Sequence, residues 1–231
     1  MTTWHLGTMG FAYEPWRGVF YPDSANPRQY LVHYSQVFDA VELDSTFYGA
    51  PRAGTVRQWA AQTPPGFRFC PKTPREITHE HGLDLGQGAG EAMAAFLDAV
   101  RGFGERLGPV LIQLPPSFGP AQRPGLETFL ASLPHDLRYA VEFRHRAWFV
   151  PETAALLAGL GMAWVTLDYL DLPRRIDMTT DFLYVRWIGQ HGRWVQRGRE
   201  EIDVAPRLAW WWEQLQPALA QVDAVYGFFN D

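Results

Sequence analysis

A chain of 231 residues that is 47% hydrophobic and 19% charged has ample material for one large core, and it shows no charge run that would mark a disordered tail or a polybasic arm. Its net charge of −5 excludes a general coat for duplex DNA, which needs clustered Lys and Arg against the phosphates. One cysteine, Cys70, excludes an internal disulfide; no apolar run approaches the roughly 18 residues that span a bilayer, and the opening MTTWHLGTMG lacks a secretory signal's charged head, so a cytoplasmic protein without a membrane partner is expected.

The first predicted strand is His5 to Thr8, followed by an aromatic loop that Gly10, Pro15, Gly18, Pro22 and Pro27 punctuate. A helix is predicted from about Arg28 to Phe38, then a strand AVELDSTFY, Ala40 to Tyr48, in which alternation places Glu42, Asp44 and Thr46 on one face. A second helix, Pro51 to Gln62, ends at Thr63-Pro64-Pro65-Gly66 before strand FRFCPK, where Cys70 and Lys72 share a face. The loop TPREITHEHGLDLGQGAG carries His79 and His81, and Glu91 to Leu107 is the longest helical pattern.

Strand four is PVLIQLPPSF, with Gln113 before the Pro115-Pro116 break, and a short helix Leu126 to Leu133 leads to strand five, YAVEFRHRAW, Tyr139 to Trp148. Alternation there sets Glu142 and Arg144 opposite Val141 and Phe143, and charges on an otherwise apolar segment must be paired or belong to a site. A helix from Pro151 to Leu160 precedes strand six, AWVTLD, with Asp168 at its end. The connection LDLPRRIDMTTD shows no helical pattern, strand seven is FLYVRWIG with Tyr184 and Arg186 aimed one way, a helix spans about Pro206 to Gln221 with Trp210, Trp211 and Trp212, and the last strand is AVYGFFND.

Eight strands separated mostly by helices, with no second domain between them, are the order of a single parallel (β/α)8 barrel of the TIM type over residues 1–231. Its connection after strand six is degraded, and the closing C-terminal helix is missing. Strands two through eight each carry polar groups near their C-terminal ends: Glu42 and Asp44, Lys72, Gln113, Glu142 and Arg144, Asp168, Arg186, and Asn230. Barrel enzymes assemble their sites at that end from several strands.

These segments resemble the YecE-like proteins, a bacterial and archaeal family with a domain of unknown function (family 72) and a barrel fold. The resemblance rests on GTMGFAYEPWRGVFYP, VELDSTFY, FRFCPKTPREITH, LIQLPPSF, AVEFRHRAW and YVRW, in that order over nearly the whole chain. It implies the fold and carries no activity. By matching position it singles out Tyr13, Trp16, Glu42, Thr46, Tyr48, Lys72, His79, Gln113, Glu142, Arg144, His145, Trp148 and Arg186. Asp44 stands where an Asn is usual and Ile188 where a His often follows, and family members continue beyond FFND into a closing helix.

Two chemical readings fit these residues. Glu142 and Glu42 would form a general acid and base, one raised by burial and one held ionised by Arg144, or they would pair with Lys72, Arg144 and Arg186 as a structural ion cluster. The three cations would clamp a phosphate or carboxylate, with Gln113 and Asn230 beside them, Thr46 and His145 at strand ends, and Tyr13, Trp16, Tyr48 and Trp148 as walls. No glycine-rich phosphate loop of recognised spacing occurs, so no cofactor is expected. His79 and His81 lie on a loop, where hydrogen bonding is favoured over a metal. The leading expectation is an enzyme, a hydrolase, isomerase or lyase, acting on a small anionic or sugar-like substrate without a metal. The alternatives are a protein that binds single-stranded nucleic acid or a flipped base at the same mouth, and a scaffold in which the WWW run joins copies of the chain.

Overall fold

Segments such as AVEL and VLIQ are apolar on both faces, which suits a parallel sheet covered on both sides. In the computed structural model, which describes residues 2–169, 172–189 and 203–230, both segments are strands buried throughout. The described residues form nine parallel strands: β1 (Thr3–Thr8), β2 (Ala40–Leu43), β3 (Arg68–Pro71), β4 (Val110–Gln113), β5 (Tyr139–Glu142), β6 (Ala163–Trp164), β7 (Thr166–Tyr169), β8 (Phe182–Gly189) and β9 (Ala224–Phe229). The helices are α1 (Tyr30–Tyr34), α2 (Ala53–Gln62), α3 (Ala89–Val100), α4 (Arg123–Ala131), α5 (Pro151–Gly159) and α6 (Ala205–Leu219).

The strands do not make one closed ladder. They form three sheets, ordered β1-β9-β8-β7, β2-β3 and β4-β5-β6. Between sheets the chain makes single-pair parallel bridges, Met9 with Glu42 and Lys72 with Leu111. Four-residue strands offer few ladder bonds, and Pro71 ends β3 without a donor. The expected strand six is divided at Val165: β6 pairs with β5 and β7 with β8, while the Trp164 amide donates to Thr179 Oγ1 at 2.9 Å. Residues 172–181 carry no helix.

Strand two also ends earlier than alternation suggests. Asp44–Tyr48 is a 3-10 turn, so Glu42, Asp44 and Thr46 do not share one strand face. The predicted Glu91–Leu107 helix ends at Val100, and Gly104, at φ 57°, breaks the turn that follows.

Three buried clusters organise the interior. The largest lies between strands and helices α1 to α5, with Phe69, Phe96, Phe103 and Phe129. A second gathers small and large residues contributed strand after strand, including Met9, Ala40, Cys70, Leu111, Ala140, Ala163 and Tyr184. A third seats Trp211 and Leu215 of α6 on Val185 and Val225, whereas Trp210 and Trp212 are partly exposed. Among the described residues no helix is long and apolar enough to cross a membrane.

Candidate functional site

Glu42 ends β2 one residue before its last, Glu142 ends β5, and Arg186 lies near the end of β8. Parallel strands deliver all three to the same end, and the two carboxylates have no exposure at all. Arg186 joins them. Its Nε donates to Glu42 Oε2 at 2.9 Å and its Nη2 to Glu42 Oε1 at 2.7 Å, while Nη1 donates to Glu142 Oε2 at 2.6 Å. The Tyr184 hydroxyl donates to Glu42 Oε2 at 2.8 Å, and Arg186 Nη2 also meets Met9 Sδ at 3.3 Å. Arg144, two residues beyond the end of β5, still reaches back: its Nε donates to Glu142 Oε1, and its guanidinium stacks 3.9 Å from the Tyr169 ring centroid.

Equal burial has opposite consequences for the two acids. Burial and the nearby Asp44 charge push the Glu42 carboxyl up to about 7, against the pull of Arg186. Burial also acts on Glu142, but Arg144 and Arg186 outweigh it and hold that carboxyl down to about 2. Glu142 has two guanidinium partners, and Glu42 shares only one and faces a second acid. Arg186 is held ionised well beyond its ordinary range, because the two glutamates overcome the cost of its burial.

Lys72 follows the last residue of β3. Thr46 Oγ1 lies 2.6 Å from the Lys72 carbonyl oxygen and 2.6 Å from that of Leu43, which fixes the backbone on both sides of the site; the hydroxyl donates to one at a time. The ammonium sits 4.2 Å from the centre of the Phe47 ring. Among the described residues it has no carboxylate within 4.0 Å and no hydrogen bond, although Asp44, Glu42 and Glu142 all act on it. Burial first, then Arg186, draw it below the ordinary lysine range. Asp44 Oδ1 is buried without a hydrogen-bond partner among the described residues.

Other expected residues lie elsewhere or do other work. Trp148 is buried, its indole N–H donating to the Phe118 carbonyl at 2.7 Å and its ring packed on Phe143, so it is core and not a pocket wall. Tyr48 is 86% exposed because the 3-10 turn carries it outward, and Phe47 takes the inward place. The His145 ring accepts from the Ala147 amide at 3.2 Å and caps a short turn. Gln113 donates to its neighbour's carbonyl, Leu114, at 2.8 Å. Tyr13 donates to the Met9 carbonyl and packs on Trp16 at 5.0 Å, next to the residue that touches Arg186. The Asn230 amide donates to the Trp187 carbonyl at 3.0 Å.

Asp168 stands apart from the glutamates. It accepts from Arg174 Nε at 3.1 Å, from Arg207 Nε and from Trp211 Nε1 at 2.8 Å, tying β7 to α6. His79 bonds Thr78 at 2.8 Å, and with His81 it borders a cavity of about 710 Å3 against the start of α4. Among the described residues no three His, Cys, Asp or Glu groups gather as metal ligands would. Burial and Glu42 push the Cys70 thiol up, which disfavours a thiolate. Sequence reading did not single out Phe47; it placed Asp44 beside Glu42 among the polar strand ends, and Tyr184, two residues before Arg186, shows its place by alternation.

A family model described as protein of unknown function DUF72 matches residues 5–231. The chain is 36% identical over 143 residues to the UPF0759 protein YecE of Escherichia coli (strain K12), covering 61% of this chain and 52% of that one. It is 31% identical over 137 residues to the UPF0759 protein YunF of Bacillus subtilis (strain 168), covering 57% and 48%. The chain thus spans about half the length of the curated relatives it matches. Among solved structures, a DUF72 family protein (TM1631) of Thermotoga maritima MSB8 aligns over 99% of this chain and 92% of its own, with a TM-score of 0.81 and 33% identity. A second (EF0366), from Enterococcus faecalis V583, aligns over 100% and 91% with a TM-score of 0.78 and 20% identity.

Proposed function

The chain belongs to the family of proteins of unknown function DUF72, and from that premise we propose that it is a parallel barrel enzyme acting on a small anionic or sugar-like substrate by acid and base chemistry at the strand ends. The barrel is supported by the strand order, the single-pair bridges between sheets, and the interior cluster to which successive strands each contribute a buried residue. Lys72 and Arg144 hold the substrate's anionic group. Glu42 exchanges a proton near neutral pH, and Glu142, kept ionised, fixes Arg186 and Arg144 in place.

The observation that carries this reading is Lys72. Lys72 is half-buried at the strand ends, and desolvation and the Arg186 charge both weigh against its ammonium form. Here three acids lie near enough to act on it, and none comes within 4.0 Å. An anionic ligand at this mouth would meet Lys72 and Arg144 together.

Ligand-observed NMR of the purified protein with sugar phosphates and hydroxy acids tests this. At least one class should bind and turn over, Lys72→Met should abolish binding, and Glu42→Gln should abolish turnover while binding persists. Silence across both classes, or unchanged binding by the Lys72→Met variant, overturns the reading.

A further inference from the structure

The sequence contains 20 cationic Lys and Arg residues, and Lys72 is the single lysine among them. Every other cation is an arginine, from the surface pairs of Arg101 and Arg138 to the buried Arg186. An arginine at position 72 would supply charge and more hydrogen-bond donors. What it would not supply is an amine that can lose its proton and carry a nucleophilic lone pair, since guanidinium stays protonated in proteins. The one lysine therefore stands where its difference from arginine has a chemical use.

Resting on the reading that this mouth takes an anionic substrate, we infer that Lys72 is an amine nucleophile forming an imine with an aldehyde or ketone that bears a carboxylate or phosphate. The geometry meets each requirement of that step. Among the described residues no carboxylate within 4.0 Å clamps the nitrogen in its ammonium form, and the Arg186 charge discourages that form. Thr46 pins the Lys72 carbonyl, and the Phe47 ring walls one side of Nζ at 4.2 Å. Arg144 spends only Nε on Glu142 among the described residues, leaving its terminal N–H groups for the substrate's anion.

In the step, the uncharged nitrogen adds to the carbonyl carbon. A C–N bond forms, the carbonyl π pair moves to oxygen, and that oxygen takes a proton. The carbinolamine then expels its hydroxyl group as water while the nitrogen gives up its two protons, so amine and carbonyl become imine and water with no oxidant or reductant. Glu42, at the same strand end but beyond 4.0 Å of the nitrogen, with its oxygens accepting from Arg186 and Tyr184, relays the proton from nitrogen to oxygen through an intervening water. Imine formation turns the bound carbonyl into an electron sink, which serves the isomerisation or carbon–carbon cleavage of a keto acid or keto-sugar phosphate.

The test is reductive trapping. The full chain is incubated separately with pyruvate, glyoxylate and dihydroxyacetone phosphate, each with cyanoborohydride, and analysed by intact mass and peptide mapping. A stable adduct on the peptide containing Lys72 is expected, with the carboxylate and phosphate arms showing which anion the site prefers. Lys72→Arg should lose the adduct completely and still bind the anion by NMR. Labelling confined to the N-terminal amine, or no adduct with a compound that NMR shows to be bound, overturns the imine and leaves the anion site standing. Absence of both binding and trapping in the unaltered chain overturns both.

Discussion

Arg186 closes on both oxygens of Glu42, at 2.9 Å and 2.7 Å, so β8 and β2 are locked together by a two-pronged ion pair that also extends to Glu142. Buried charges of this kind are costly to separate from their partners, because the survivor keeps its desolvation and loses its attraction.

Replacing Arg186 with Met should therefore cost about 3–5 kcal/mol, as two buried carboxylates lose their common partner. Urea unfolding measures this directly. A loss below about 1 kcal/mol would show that the glutamates are neutral or hydrated in the folded protein. If the Met variant does not fold, Arg186→Lys should fold with an intermediate loss, since it keeps the charge and gives up the fork.

The two glutamates give stability opposite pH dependences. Glu42 is raised from 4.5 to about 7, so the folded state holds a proton that the unfolded state releases; its stabilising contribution is complete below about pH 4.5 and is lost as pH rises through about 7. Glu142 is lowered from 4.5 to about 2, so its contribution is present above about pH 4.5 and is lost as pH falls toward 2. Glu42→Gln should flatten the decline between about pH 5 and pH 8, worth up to about 3 kcal/mol, and leave the acid limb unchanged. Glu142→Gln should flatten the acid limb instead. Identical slopes in wild type and Glu42→Gln would refute the raised carboxyl.

Lys72→Met should change stability by less than about 1 kcal/mol in either direction, because no ion pair among the described residues is lost and a methyl thioether fills the volume of the stem. The melting temperature at pH 7 serves as the readout. A fall as large as that of Arg186→Met would mark Lys72 as a structural cation.

Gly7 on β1 sits where an added Cβ would come within 1.9 Å of the Ala40 carbonyl oxygen on β2. Gly7→Ala should force the two strands apart and cost about 2 kcal/mol or more. Because Met9, two residues on, bridges Glu42, the same substitution should weaken anion binding in the NMR assay. A normal melting temperature with normal binding would show that β1 and β2 are free to shift.

The alternation of apolar and charged residues at Ala40 to Glu42, Tyr139 to Glu142 and Tyr184 to Arg186 was enough to identify Glu42, Glu142 and Arg186 as groups delivered to one end of parallel strands. A strand's period of two is a local property, and the cost of burying a charge requires a partner. The same reading failed where the backbone left the strand. Past Leu43 the chain enters a 3-10 turn, so Tyr48 faces solvent, Phe47 lines Lys72, and Thr46 becomes a backbone clamp. Trp148 was misplaced as a wall for the same reason: a loop residue by sequence, it turns back under Phe118 and Phe143.

Hydrophobic period and proline and glycine punctuation are written locally, so the succession of strands and helices, apart from the division at Val165, and the ionisable groups at the strand ends are legible in the chain itself. Only the tertiary structure decided how charge is shared among them. Arg186 binds both glutamates, Arg144 turns back to Glu142, and Lys72 has no carboxylate within 4.0 Å among the described residues; each depends on where the fold sets these groups, and Coulomb attraction and desolvation follow from those distances.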